Sequence, residues 1–568
     1  MMKFLKPVLW VLILGCFSFS VQAQAQAQVT VGSAREVGDD SLKGWHLLDK
    51  QKDGFNGISL SQAYQELERA GKKPTKIVVA VIDSGIDTTH DDLKHVLWHN
   101  PGEIPGNGID DDHDGYVDDV EGWNFLGGKD GRSVIKDSYE GARIYHQLKA
   151  KYDNGAAVDT STAEKKWEYT EWVKVKGRLE AEAASASMTV LALKTLYKSI
   201  PMADSVIRLS LNKTEYSGND LMTYNPSNDG VSRAKRVMMA VFKGFDQMSA
   251  LNTTLIQAFN EYYESQEMKA DEVDKAPEDF RGEVVKDNYY DFNDRFYGNN
   301  DLQGSAIFHG THVAGIIAAD RTNHIGIDGI ADDAQIMMVR VVDDGDEHDK
   351  DIALAIRYAV DHGAKVINMS FGKSFSPQKA WIDEAVKYAA SKDVLLVHAA
   401  GNEHINLDSS DNFPTPVYMD GAETAPNWIT VGASGDAKIG GLVASFSNYG
   451  KMSVDVFAPG VKIYSTVLNN GYDFADGTSM ASPVVAGVAA LLREYFPQFS
   501  AEQIKYIIEK SAVAPDEKVT IPGTETSVSL SDLCTSGGIV NAYAAVKLAE
   551  TLKAEKLPKT RIKHDKKD

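Results

Sequence analysis

Residues 76–85 read "KIVVAVIDSG", a run of β-branched and small apolar residues closed by an acid, a hydroxyl and a glycine. No polar residue alternates within "IVVAVI", so both faces of the segment must be covered. That is the pattern of a strand inside a parallel sheet, with a turn leaving it at Asp83 and Gly85. Similar runs recur as "QIMMVRVVD" (335–343), "AKVINMSFG" (364–372), "DVLLVHAAGN" (393–402) and "NWITVGAS" (427–434). Between them, "DIALAIRYAVDHG" (351–363) and "KAWIDEAVKYAASKD" (379–393) carry apolar residues at helical spacing. Strands alternating with helices predict an α/β fold: a doubly wound, mostly parallel sheet flanked by helices.

Sheets of this kind collect functional groups beyond the carboxyl ends of their strands. Asp83 closes the first strand. His309 opens "HGTHVAGIIAA" (309–319), a helix of small residues against which backbone can pack closely. Ser479 stands in "GTSMASPVVAGVAALL" (477–492), whose Val484, Val488, Leu491 and Leu492 mark a buried helix. The spacing places Ser479 just ahead of that helix and Pro483 in its first turn. An isolated serine there reads as an N-cap. Set beside an acid and an imidazole at other element ends, it becomes the third part of an activated nucleophile. A serine hydroxyl needs an imidazole to take its proton, and a carboxylate to orient that imidazole and stabilise its charge.

The segments "VIDSGID", "HGTHVAGIIAA" and "GTSMASPVVAGVAALL", in that order, resemble the three signature segments of the subtilisin-like serine proteases. The resemblance covers roughly 76–127 and 287–550. It implies a subtilisin-like fold and hydrolysis of peptide or protein substrates through an acyl-enzyme on Ser479, with His309 as general base and Asp83 as orienting acid. Asn402, in "HAAGNE", matches the family's oxyanion asparagine, although an Asn after Gly is otherwise a turn residue. Ser370, Phe371 and Gly372 match the segment that pairs with extended substrate, and Ala399, Ala400 and Gly401 the wall of the pocket for the residue before the cut. Asp87 and His312 are rivals for the acid and the imidazole. The family motif places the acid before "SG", and H-x-x-H without an adjacent Glu lacks the zinc-protease pattern.

"NGIDDDHDGYVDDVEGWNF" (107–125) carries a second signal. Asp110, Asp112, Asp114, Gly115 and Glu121 fit D-x-D-x-D-G-x5-E, a spacing that wraps oxygen ligands around calcium. Tyr116 and Asp118 complete the expected ligand set. A solvated acidic turn is the alternative, since no helix–loop–helix hand surrounds it.

Composition bounds the rest. With 568 residues, 43% hydrophobic, the chain has the make-up of a globular protein with a large core. A net charge of −22 argues against nucleic acid as a partner. Residues 1–23 combine Lys3 and Lys6, the apolar run Pro7–Val21 and small residues at 23 and beyond, as in a secretory signal. Export to a periplasmic or extracellular space follows, with a lipid anchor on Cys16 as the alternative. No later segment is long and apolar enough to span a membrane. Cys534 would then be the one cysteine left, so no internal disulfide is expected. Residues 24–75 are polar with one helix around "SLSQAYQELERA", either a short propeptide or the opening of the catalytic domain. Residues 128–286 break the strand–helix rhythm, and Trp167, Trp172, Val175, Leu179, Val190, Leu193 and Tyr197 predict a helical insertion. Residues 551–568 form a charged tail with the composition of a disordered segment. Competing readings are a catalytically idle binding module on this fold and a processing protease dedicated to one substrate.

Overall fold

The computed structural model describes residues 40–553 apart from 246, 305, 306 and 422. The leader expected at 1–23 and the tail from 554 onward lie outside the described residues. In chain order the elements are α1 (Leu60–Arg69), β1 (Ile77–Asp83), β2 (Gly122–Asn124), α2 (Glu140–Tyr152), α3 (Ala163–Leu211), α4 (Gly218–Thr223) and α5 (Asp229–Gly244). They continue with α6 (Asn252–Asp271), α7 (Phe280–Val285), α8 (Phe308–Ala318), β3 (Ala334–Arg340), α9 (Asp349–Asp361), β4 (Ala364–Met369), α10 (Lys379–Ser391) and β5 (Leu395–Ala399). The last are β6 (Trp428–Ser434), β7 (Val456–Pro459), β8 (Ile463–Val467), β9 (Gly471–Ala475), α11 (Thr478–Tyr495), α12 (Ala501–Ser511) and α13 (Ala542–Thr551), with two further two-residue strands after α12.

Seven strands form one sheet in the order β2-β3-β1-β4-β5-β6-β7, and every pair in it is parallel. The expected doubly wound architecture is therefore present. The alternation of side chains along each strand assigns the two cores. Val79 and Val81 of β1, with Ile336 and Met338 of β3, join α8, α11, α12 and α13 on one face. Ala80 and Ile82, with Met337 and Val339, join α9 and α10 on the other. Both sets of side chains are buried, which is why the strands read as unbroken apolar runs. β1 lies between β3 and β4, so the strand order reverses at Asp83. A doubly wound sheet opens its ligand crevice at such a reversal.

The described residues divide into two compact units. Gly141–Val158 and Tyr169–Pro277 form one, and the sheet belongs to the other. No strand occurs among the described residues of 128–286. The helical unit has its own core, with Ile200, Ile207, Phe242, Phe259 and Tyr263 buried together. Tyr197 and Tyr263 stack at 4.1 Å between ring centroids. The buried Asp204 carboxylate accepts from Tyr216 Oη at 2.9 Å and Asn252 Nδ2 at 2.7 Å, which meets its need for partners away from water.

Helix α11 differs from the sequence expectation in one detail. Pro483 is its sixth residue, not a first-turn residue, and Ser479 is its second. A proline at that place cannot donate to the carbonyl of Ser479 four residues back. The structure supplies a replacement: Ser370 Oγ, just beyond β4, donates to Ser479 O at 2.9 Å. Ser370 Oγ in turn accepts from Asn368 Nδ2 at 2.9 Å, and Asn368 Oδ1 accepts from Ser482 Oγ at 2.8 Å. A polar ladder thus ties the helix start to β4. Removing Ser370 Oγ by Ser370→Ala leaves a shielded carbonyl without its partner, at a cost of about 1–3 kcal/mol. Chemical denaturation should show that loss with an unchanged m-value.

Candidate active site

Asp83 is 1% exposed. Its Oδ1 lies 2.7 Å from His309 Nδ1 and accepts the N–H of Ser84 at 2.8 Å. Two glycines permit the approach. A Cβ on Gly310 would sit 2.2 Å from Gly85 O, and Gly85 adopts φ +116° with Leu302 O 2.4 Å from the place of its own Cβ. Helix α8 can therefore bring its first turn down onto the end of β1. Burial favours a neutral imidazole, but the charge and hydrogen bond of Asp83 outweigh it, with a smaller push from Glu347. The His309 pKa is raised as a result. Because Nδ1 faces the carboxylate, Nε2 is the nitrogen left for other chemistry.

The two rivals take other parts. Asp87 accepts from Thr89 N and Oγ1 and from Asn469 N, so it closes a turn. His312 is fully buried, with Nε2 3.1 Å from Ile463 O and 3.2 Å from Asp473 O. Burial pushes its pKa down to about 3, and the neighbouring His309 adds to the fall. It is a neutral core histidine.

Ser479 lies half-buried in the first turn of α11, and its Oγ donates to Ser370 O at 3.0 Å. No hydrogen bond joins Ser479 to His309 among the described residues. Asn402 sits beside the same turn. Its Oδ1 accepts from Thr478 N at 2.9 Å and from Thr478 Oγ1 at 3.0 Å. These bonds set the amide with its oxygen toward Thr478 and its NH2 the other way. Met480 N and Ala481 N turn back to Gly477 O, whereas the N–H of Ser479 meets no partner among the described residues. Two donors are thus left at one helix start.

The extended segment Ser370–Gly372 continues β4. Phe371 O accepts from His398 Nε2 at 2.8 Å, and burial takes the His398 pKa down to about 4, keeping that ring a neutral donor. At the end of β5, Ala400 O accepts from Asn412 Nδ2 at 2.9 Å and from Asn448 Nδ2 at 2.8 Å. Ala399 and Ala400 are buried and Gly401 half-buried at φ +98°. Asn368, His398, Asn412 and Asn448 escaped the sequence reading. For Asn368 and His398 the signal was there, a polar residue inside an otherwise apolar strand. For Asn412 and Asn448, on loops remote in sequence, there was none.

The acidic loop departs from the expected ligand set. Asp110 carboxylate oxygens accept from Asp114 N at 3.1 Å and Gly115 N at 3.0 Å, and Asp114 Oδ1 from Tyr116 N at 2.9 Å. Oxygens of Asp110 and Asp112 come within 4.8 Å of each other and of Glu103, a residue from before the motif. Asp112, Asp114 and His362 make a second such group. Glu121 belongs to neither, because the chain turns into β2 directly after it. Its Oε1 is 3.6 Å from His99 Nε2. Asp118 is spent on the backbone N–H groups of Asn107 and Gly108. The Tyr116 ring packs among Trp123, Phe125 and Tyr358. The oxygen donors of Glu103, Asp110 and Asp112 suit a hard divalent cation.

Comparison with known proteins places the chain in a family. The model of the Subtilase family (Peptidase_S8) matches residues 74–537. The "Thermophilic serine proteinase" of Bacillus sp. (strain AK1) is 45% identical over 275 residues, 48% of this chain and 59% of that protein. "Thermitase" of Thermoactinomyces vulgaris is 38% identical over 252 residues, 44% of this chain and 79% of its own length. "Subtilisin BL" of Lederbergia lenta is 38% identical over 240 residues, 42% of this chain and 77% of its own. The chain spans less than two thirds of the Bacillus sp. relative. With a matching model across most of its length, and an acid, an imidazole and a hydroxyl at the element ends where the three signature segments placed them, this chain belongs to the subtilase family.

Proposed function

We propose that the chain is a serine endopeptidase whose nucleophile is Ser479, general base His309 and orienting acid Asp83. The observation that carries the reading is the 2.7 Å contact of His309 Nδ1 with the buried Asp83 at the reversal of strand order. Turning Ser479 about χ1 releases its hydroxyl from Ser370 O and offers the proton to His309 Nε2. The freed oxygen attacks the peptide carbonyl carbon. Negative charge then develops on the carbonyl oxygen, where Asn402 Nδ2 and the Ser479 N–H are the donors for it. His309 passes the proton to the departing amine, the C–N bond breaks, and an acyl-enzyme remains. Water, activated by the same imidazole, hydrolyses that ester and returns the hydroxyl. The peptide lies along Ser370, Phe371 and Gly372, with the side chain before the cut against Ala399, Ala400 and Gly401.

Ser479→Ala should lower kcat on a peptide substrate by several orders of magnitude. Asn402→Ala should lower kcat by about 10²–10³ while leaving KM nearly unchanged, since the amide serves charge that exists only in the transition state. Steady-state kinetics with both variants checks this.

The base must be neutral to act. Because Asp83 raises the His309 pKa, activity should fall as the pH drops through a value above that of free imidazole. Asp83→Asn removes the charge and leaves burial, which lowers the pKa. The acid limb should then move to lower pH while the maximal rate falls by about 10⁴. A pH–kcat/KM profile of both proteins reads the shift.

We also propose that Glu103, Asp110 and Asp112 hold calcium, with Asp114 supporting the loop. We propose export on the sequence pattern of residues 1–23 alone; no described helix is long and apolar enough to cross a membrane. Neighbouring carboxylates repel one another without a cation, so the metal would stabilise the folded loop. EDTA should lower the melting temperature and calcium restore it, and Asp112→Asn should blunt both responses. An unchanged melting curve, with no metal found by elemental analysis, would count against the site.

A further inference from the structure

Glu347 lies on the segment that leaves β3 at its carboxyl end and enters α9. It is 7% exposed, and its Oε2 is buried without a hydrogen-bond partner. The ammonium beside it does not serve the carboxylate. Lys373 Nζ stands 2.7 Å from Glu140 Oε2 and 2.9 Å from Asp349 Oδ1, and donates to the main-chain carbonyl of Glu347. It donates to Glu140 and to that carbonyl, and its contact with Asp349 is an ion pair, whereas Glu347 Oε2 receives no hydrogen bond. Burial pushes the Glu347 carboxyl up to about 8. Asp346 and Asp343 press the same way, and Lys373 opposes them.

Another buried ionic group in the same unit makes the contrast. Arg281 and Lys350 meet Asp287 and Asp351, two cations against two carboxylates, with every contact at 2.6 Å. That group is balanced. The excess of acid is on the Glu347 side, where one carboxylate oxygen has the backbone N–H to draw on and the buried Oε2 is left to attract either a proton or a cation.

The neighbourhood is that of the peptide cleft. The charge of Glu347 acts on His309, and Lys373 directly follows Gly372. Strand order puts β1 and β3 on one side of β4 and β5 on the other. An extended peptide along Ser370–Gly372 that sends one side chain toward Ala399–Gly401 sends the preceding side chain the opposite way. The opposite way is the side of β1 and β3, where His309 meets the end of β1 and the segment carrying Glu347 leaves β3.

We propose that Glu347 is a specificity-determining residue that selects substrates carrying lysine or arginine one position ahead of the residue that enters the pocket. Its Oε2 gains from that cation the charge-assisted hydrogen bond that this atom otherwise lacks. This inference rests on the peptidase reading above. Four peptides test it, identical except for lysine, arginine, norleucine or glutamate at that position. The lysine and arginine peptides should exceed the norleucine peptide in kcat/KM by about tenfold or more, and the glutamate peptide should be cut most slowly. Glu347→Gln should bring the four values together, and Glu347→Asp should keep their order. Equal values in the wild type, or a lysine preference that survives Glu347→Gln, would overturn the inference. If Glu347→Gln does not melt cooperatively, the wild-type order alone decides, and indifference between lysine and glutamate overturns it. Equal cleavage of all four peptides that disappears in Ser479→Ala leaves the peptidase reading standing while this inference fails. No cleavage of any peptide removes both.

Discussion

The pairing of His309 with a carboxylate at the floor of the sheet is the interaction on which the rest depends. Asp83 is buried, and its Oδ1 receives the imidazole and the Ser84 N–H, contacts that replace water at that oxygen. The contact exists only if α8 reaches the end of β1, and α8 reaches it only because Gly310 and Gly85 present no Cβ at the crossing. The turn of α11 answers the same need for close packing with small residues. The start of that helix is held by side chains, with Asn402 on Thr478 and Ser370 on Ser479. Close backbone approach at glycines, strand order and side-chain hydrogen bonds therefore converge on one short stretch of surface.

Burial on both faces explains why so little of the sheet could carry chemistry. Polar groups inside it would lack water, so they collect where strands end, and strand ends next to the reversal of order face a common crevice. Two polar residues that enter the sheet near the crevice are matched. Asn368 bridges Ser482 and Ser370, and His398 donates to Phe371 O. Beyond β3 the matching is incomplete: Glu347 Oε2 is buried without a partner, as is Asp83 Oδ2 at the crevice.

Much of the fold was legible because periodicity reports burial. The runs ending at Asp83, Asp343, Gly372, Asn402 and Ser434 correspond to β1, β3, β4, β5 and β6. Two sheet strands, β2 and β7, are too short to show a pattern of their own, and are recruited by pairing with β3 and β6. The helical region was visible from the loss of alternation. Pro483 was misplaced because propensity favours the first turn, while the tertiary partner Ser370 makes a later position tolerable. In the acidic loop the motif spacing picked out Asp110 and Asp112, whose carboxylates stand together with that of Glu103. It chose Glu121 over Glu103, because a linear pattern cannot see a carboxylate folding back from before the loop. Contacts across hundreds of residues, such as Asn402 with Thr478 or Lys373 with Glu140, leave no trace in local sequence.

The account comes down to whether the hydroxyl at the head of α11 is made nucleophilic by the imidazole held on Asp83. A fluorophosphonate that modifies only activated serines, followed by peptide mass mapping, addresses this in one step. The account predicts a single covalent adduct on Ser479, formed at a rate that falls when His309 is replaced by alanine. Adduct formation that is absent, that maps to another residue, or that is indifferent to His309→Ala would contradict it.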